Sequence, residues 1–435
     1  MQKKLLTLAV AGALAAPAVS FAQSSVEVYG YLNMSFGYWK HNDATDQTAS
    51  PDVSKWDVTS AASNVGVRGR ETLGGGLSAW FQVETNAALE RSNNVAHTSG
   101  FASRNSAVGL QGNWGNVFVG QWTTPWADLD ALWAIGTVGG FGPVTSIIGR
   151  RETTGAAPNA NCSNTGSGVA AAPGGNCDSV EAGGGVGHPF WRRASNAISY
   201  QSPVVAGGLQ GKILWQTNQD KTNGGTGIVK QDPQLWSGSV QWAGMGGRAR
   251  VGVAYDAHKD FTTVGKTDNG WAIKGGWNFG VADIGLAYEQ NTYKTPDGDC
   301  KAKQYGVALA VPVGQGAVRA SYSKAKDIEG NYTGAVVNAV TGSTGGCGAA
   351  SAVNTSGGTI NLRDNGATQY NIGYDHRFSK RTTLGFGYAT IRNDAGAGGN
   401  TFVWSGMSST QNGASVTAPL GSNINVYFVN IIHRF

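Results

Sequence analysis

The chain has 435 residues, of which 66 are glycine, and 14% are charged against a usual ~25%; its formal net charge is +5. So small a positive excess argues against nucleic acid as a partner, and beyond the first twenty-odd residues no stretch approaches the ~20 apolar residues of a membrane helix. Mean hydropathy is −0.21, yet a transmembrane β-barrel gives the same soluble-looking value because only alternate residues face lipid.

Met1 to Ala22 combines Lys3 and Lys4, an apolar stretch from Leu5 to Val19, and the small residues Ser20 and Ala22. That pattern predicts a cleaved secretory signal over 1–22 and a mature domain over 23–435. From Val26 to Phe36 apolar and polar residues alternate, with Val26, Val28, Leu32, Met34 and Phe36 on one face and Glu27, Asn33 and Ser35 on the other. Period two predicts a strand with one apolar and one wet face. The pattern recurs down the chain between tight turns at 73–76, 112–115, 203–207, 244–247, 278–280, 312–314 and 379–381. Long polar segments fall between them at 41–55, 86–100, 123–192, 218–233, 258–268, 292–300, 325–366 and 393–419.

About sixteen strands, joined by short and long connections in alternation, predict an all-β fold: one antiparallel transmembrane barrel with short turns on one rim and long loops on the other. A soluble sandwich of this length would divide into several domains, and no linker or change of composition divides it. The last strand, Asn423 to Phe435, stops on a bare aromatic residue. Pairing with the first strand would close the sheet and remove both edges. Tyr427, Val429, Ile431 and Phe435 form a lipid-facing stripe. Ile424, Val426, Phe428 and Ile432 make the other face apolar too, so that face is predicted to pack against the third loop or the barrel base.

Four cysteines, in an exported chain, favour disulfides. Cys162 and Cys177 share one Gly-rich stretch and are the preferred pair, leaving Cys300 with Cys347; three connectivities are open. The six histidines are scattered and no nucleophile elbow or phosphate loop is present, so neither an enzyme nor a metal or cofactor site is suggested.

Parity within strands nominates Arg68, Lys212, Lys274 and Arg319 as basic lumen-wall residues, each opposite an outward apolar neighbour. In the third long segment Thr124 and Pro125 read as the N-cap and first residue of a short helix. Asp128 and Asp130 are then the candidate acids of that segment, with Glu152 further along, and Arg150, Arg151 and Arg192 could tie the loop to the wall or line the vestibule. Opposed basic and acidic walls would set a transverse field across the pore. Tyr38, Trp39, Trp56, Trp236, Trp242, Trp271 and Trp277 suit aromatic girdles.

Several stretches resemble the Gram-negative general porins of the β-proteobacterial and neisserial type: Val26–Leu32, Ser63–Leu77, Val108–Gly112, Arg193–Pro203, Phe378–Thr382 and His433–Phe435. The resemblance implies a sixteen-stranded barrel, a homotrimer, periplasmic turns, extracellular loops, and a third loop, about 123–192, folded into the lumen as the constriction. It adds Arg104 and Arg193 to the basic wall and makes Phe435 the signal read by the barrel-assembly machinery. Asn64 and Gln121 stand where the family often has arginine, and the third loop is long for the family. The function implied is passive diffusion of small hydrophilic solutes and ions through the outer membrane, in contact with lipid and lipopolysaccharide. Two other functions suit the same barrel: a substrate-selective porin whose third loop builds a binding site, or a plugged barrel serving as adhesin or scaffold.

Overall fold

A computed structural model describes residues 25–45, 51–87, 101–142, 190–205, 207–217, 232–261, 265–295, 298–330, 364–395 and 421–435, with short pieces between them. The leader, Glu152, Cys162, Cys177 and Cys347 lie outside the described residues. Seventeen strand segments make the wall: β1 (Ser25–Asn42), β2 (Val53–Ser60), β3 (Asn64–Gly74), β4 (Leu77–Asn86), β5 (Ser106–Gly112), β6 (Gly115–Thr123), β7 (Arg193–Gln201), β8 (Leu209–Gln216) and β9 (Gln234–Gly244). They continue through β10 (Ala249–Lys259), β11 (Thr267–Asn278), β12 (Asp283–Thr295), β13 (Gly298–Val313), β14 (Gly316–Ala325), β15 (Ala367–Arg377), β16 (Thr382–Asn393) and β17 (Asn423–Arg434).

β2 and β3 are one crossing of the membrane, broken by a bulge. Between the pairs Tyr31↔Asn64 and Met34↔Ser60, two residues of β1 face three on the other side. Ala62 takes the extra residue's turn at φ 56°, and the Ser63 hydroxyl accepts the Asn33 amide at 2.9 Å. The backbone polar groups at the break thus stay paired. Counted this way the sheet has sixteen antiparallel strands, each paired with its chain neighbour.

Closure comes from β1 and β17, which pair from Asn42↔Asn423 to Tyr31↔Arg434. The final residue completes the seam: Gly30 and Phe435 exchange both backbone hydrogen bonds, at 3.1 and 3.2 Å. An unpaired edge in hydrocarbon would leave amides and carbonyls unsatisfied at several kcal/mol each, so this seam is the condition for crossing a membrane.

The period of two is visible in β13. Cys300, Ala302, Gln304, Gly306, Ala308 and Ala310 are buried toward the lumen, while Val307 and Leu309 are exposed on the outside. The seven tight turns fall on one rim, where both ends of the barrel sequence also lie. The segment at 292–300 is shorter than its polar composition suggests, because β12 and β13 pair up to Thr295↔Gly298. Trp39 differs from the girdle reading as well: it shares the inward parity of Asn33 and Ser35 and is 2% exposed. Trp56, Trp236, Trp271 and Trp277 are exposed on the outer face.

A side chain at Gly30 would collide with the Phe435 ring, since a Cβ there would lie 2.4 Å from its Cζ. Gly30→Val is expected to lower the yield of refolded, heat-modifiable barrel on electrophoresis, whereas Gly238→Val, where a Cβ would meet nothing nearer than the Lys212 carbonyl oxygen at 3.8 Å, should cost less. Equal yields would detach Phe435 packing from closure.

Candidate functional site

The chain leaves the wall after β6 and enters the lumen. Thr124 caps α1 (Pro125–Asp128), its hydroxyl accepting the Ala127 amide at 3.4 Å, and Pro125 occupies the first turn, where a missing N–H costs nothing. A 3-10 turn, Leu129–Leu132, follows. The loop closes its own base, for the Thr124 amide donates to the Arg192 carbonyl at 3.0 Å.

From there residues 124–142 run along the inner wall instead of crossing the bore. The Lys212 ammonium on β8 meets Asp128 at 2.8 Å, and Ser237 on β9 accepts the Trp126 amide at 3.2 Å. Arg250 on β10 donates to the Leu132 carbonyl at 2.6 Å while its other arm holds Asp283 at 2.7 Å. Lys274 on β11 lies between Asp130 of the loop and Glu289 on β12, 2.5 Å from each. Arg319 on β14 donates to the Ile135 carbonyl and to Asp375. Asn371 and Gln369 on β15 donate to the Phe141 carbonyl at 2.7 and 3.2 Å. The Phe141 ring then packs on Phe428 of β17 at 4.4 Å and Trp39 of β1 at 5.4 Å.

Small inward residues make room for this path. A Cβ at Gly252 would touch Leu129 and Leu132, and one at Gly285 would lie 2.1 Å from the Trp133 carbonyl oxygen. Ala254, Ala272, Ala287, Ala308 and Ala389 form the rest of the bed. Burying Trp126, Leu129, Trp133 and Phe141 at 0–4% exposure supplies ~1.5–3 kcal/mol for each large side chain. The apolar inner face of β17 therefore packs against the third loop through Phe428.

The sequence-nominated residues separate into two groups. Lys212, Lys274, Arg319, Asp128 and Asp130 come together, but as anchors between loop and wall. Lys274 is 1% exposed and does not reach the water-filled bore. Asp130 also accepts the Trp191 indole N–H at 2.7 Å. Burial pushes the Asp128 carboxyl above its ordinary range, against the pull of the Lys212 ammonium. As pH falls, this anchor therefore loses its charge before an exposed aspartate would. Among described residues 124–142 only Ala131 is exposed.

Arg68 on β3, Arg104 just before β5 and Arg193 at the start of β7 lie on the other side, which these loop residues leave open. Arg68 pairs with Glu27 at 2.8 Å. Arg104 pairs with Glu84 at 2.5 Å and donates to Asn86, and Arg193 donates to Asn105 at 2.9 Å. Asn64 and Gln121 hold backbone: Asn64 donates to the Ala62 carbonyl in the bulge, and Gln121 to the Ser103 and Arg104 carbonyls. Parity could have found Arg70 and Arg250, which share the inward faces of Arg68 and Ala254. The one carboxylate trio within 4.8 Å among the described residues, Asp327, Asp364 and Asp394, stands at the long-loop rim. Lys324 and the backbone amides of Asn365 and Gly366 already serve it. Cys300 is disulfide-bonded, its partner lying outside the described residues.

A closed sixteen-stranded barrel with a loop laid inside it defines an outer-membrane channel. The chain belongs to the Gram-negative porins: the model of that family matches residues 7–396. It is 27% identical over 404 residues to outer membrane porin protein 32 of Delftia acidovorans, covering 90% of each chain. It is 28% identical over 155 residues to the major outer membrane protein P.IB of Neisseria gonorrhoeae, covering 35% of this chain and 42% of that one. An anion-selective porin from Comamonas acidovorans superposes with a TM-score of 0.65 at 24% identity, covering 95% of this chain and all of that one. OmpT of Vibrio cholerae in its trimer form gives a TM-score of 0.54 at 13% identity, covering 95% and 99%. The protein is thus an outer-membrane porin for passive diffusion, with periplasmic turns and extracellular loops.

Removing the Lys274 ammonium would strand the Asp130 and Glu289 carboxylates. Lys274→Met is expected to destabilise the barrel by about 3–5 kcal/mol, the cost of breaking a buried charge pair, and to raise open-channel current noise as the loop loosens. Lys212→Met, at a partly solvated pair, should cost less. Thermal melts and single-channel records of both variants check the order.

Proposed function

We propose that the pore passes small hydrophilic solutes with a preference for anions, and that the preference comes from the wall that loop residues 124–142 leave open. The observation that carries this reading is the placement of Asp128 and Asp130 against Lys212 and Lys274. Held against wall lysines, with Asp130 only 8% exposed, these acids present little cation-attracting surface to the bore. Across from them Arg68 and Arg104 pair with Glu27 and Glu84 while Arg70 meets no carboxylate among the described residues, so among those residues arginine exceeds carboxylate on the open side. Excess positive charge raises the local anion concentration. The similar Comamonas porin is anion-selective, which agrees in direction.

The working unit in this proposal is a homotrimer. β5 and β8 have 7 and 8 residues, fewer than the ~9–11 a tilted strand needs to cross the hydrocarbon core. A second copy covering this low stretch of wall would keep it out of lipid. Loop 123–192 is the constriction, the leader over 1–22 directs export, and Phe435 presents the finished seam to the assembly machinery. The preferred disulfides remain Cys162–Cys177 and Cys300–Cys347. No bond chemistry is assigned, since the named residues are engaged in anchoring the loop and charging the wall.

In planar bilayers under a KCl gradient the zero-current potential should have the anion-preferring sign and grow as salt is lowered and screening weakens. Arg104→Gln combined with Arg193→Gln should reduce it. A cation-preferring potential, or a value indifferent to both substitutions, would overturn the proposal.

A further inference from the structure

The open wall carries more than charge. Trp80 on β4 shares the inward parity of Ser78, Gln82 and Glu84, while Phe81 between them is exposed on the outside. Its ring crosses β5 over Gly109, where a Cβ would lie 2.7 Å from the indole nitrogen and 2.6 Å from the Phe118 Cβ. The indole N–H is fixed by Asn116 on β6 at 2.8 Å. Phe118 and Trp122 of β6 complete a cluster, with ring centroids 5.4 Å (Trp80–Phe118), 5.8 Å (Trp80–Trp122) and 5.0 Å (Phe118–Trp122) apart. Phe118 is 2% exposed, whereas both tryptophans are half-buried and so keep part of their surface open.

Arg70 stands directly across from Trp80 in the β3–β4 register. It is exposed, and one guanidinium nitrogen donates to Ser78 at 3.1 Å. No carboxylate among the described residues pairs with it. A lumen wall needs no aromatic cluster for water or small ions, which gain nothing from an apolar ring face. An open ring surface beside an exposed guanidinium suits a solute with a flat apolar face and one carboxylate.

We propose that Trp80, Phe118, Trp122 and Arg70 form a binding site for aromatic carboxylates on the lumen wall. The ring of the solute packs against the exposed tryptophan surfaces and its carboxylate meets Arg70. The site rests on the anion-passing pore proposed above and adds a substrate class to it. Such a solute would cross by repeated capture, so its flux saturates while that of chloride rises linearly.

Conductance of the full-length porin in bilayers, measured in potassium benzoate, potassium acetate and KCl, tests this. Wild-type current should saturate with benzoate and stay linear with acetate and chloride. Trp80→Leu should raise the benzoate half-saturation concentration about tenfold, the size of a lost ring contact, and Trp80→Phe should restore most of it. Arg70→Gln should raise it as well, and Trp56→Leu, on the outer face, should leave it as in wild type. Linear benzoate current in wild type, or a half-saturation indifferent to Trp80→Leu, would overturn the site while leaving the pore intact. Absence of KCl current in wild type would remove the pore itself, and the site with it.

Discussion

No amide of the wall can go unpaired in hydrocarbon, and the rest of the structure follows from meeting that constraint. An antiparallel sheet meets it only by closing, and here closure reaches to the last residue, where Gly30 and Phe435 exchange both backbone bonds. A barrel of sixteen strands is too wide for its own side chains to fill. The lumen must then be wet or furnished by another part of the chain. This protein does both, on opposite sides. Along β8–β17 small inward residues such as Gly252, Ala254, Ala272 and Gly285 make a bed for residues 124–142, and Lys212, Lys274 and Arg319 hold that lining in place. Along β3–β7 the inward positions carry arginines, Glu84 and an aromatic cluster that face the bore.

The lining also settles where charge can act. A lysine enclosed at 1% exposure is tolerable only with its carboxylates beside it, and Asp130 and Glu289 supply them. That arrangement fixes the loop and removes its acids from the pore in one step. A loop that stood free of the wall would leave Asp128 and Asp130 facing the bore, with a field running across it. With the acids held at the wall, the selectivity proposed above passes to the side that residues 124–142 leave open, where Arg70 meets no carboxylate among the described residues. In that proposal, function depends on which wall residues 124–142 cover.

Much of the fold was legible because turns and strand faces are local properties. Gly75, Pro203 and Gly246 mark turns wherever they occur, and period two assigned Arg68, Lys212, Lys274 and Arg319 to the inner face. The short helix after Thr124 was equally readable from its cap. What that helix touches was not, because the facing of Asp128 and Asp130 is set by Lys212 and Lys274, 84 and 144 residues away. Trp39 looked like a girdle residue because aromatic content was weighed without parity, and parity puts it inside. Trp80 had the same signal available, being in step with Ser78, Gln82 and Glu84. Asn64 and Gln121 show the opposite limit: the sequence marks them as departures from the family, but only the bulge and the Ser103 carbonyl explain what an amide does there.

Residues 124–142 lie flat on the wall, and thiol labelling measures this directly. Ala131 is the one exposed residue of that segment, while Leu129 is 0% exposed and sits over Gly252 of the wall. In the folded porin a polar maleimide should label Ala131→Cys readily and Leu129→Cys only after denaturation. Equal labelling of both in the folded barrel would mean that the segment stands free of the wall and would overturn this arrangement.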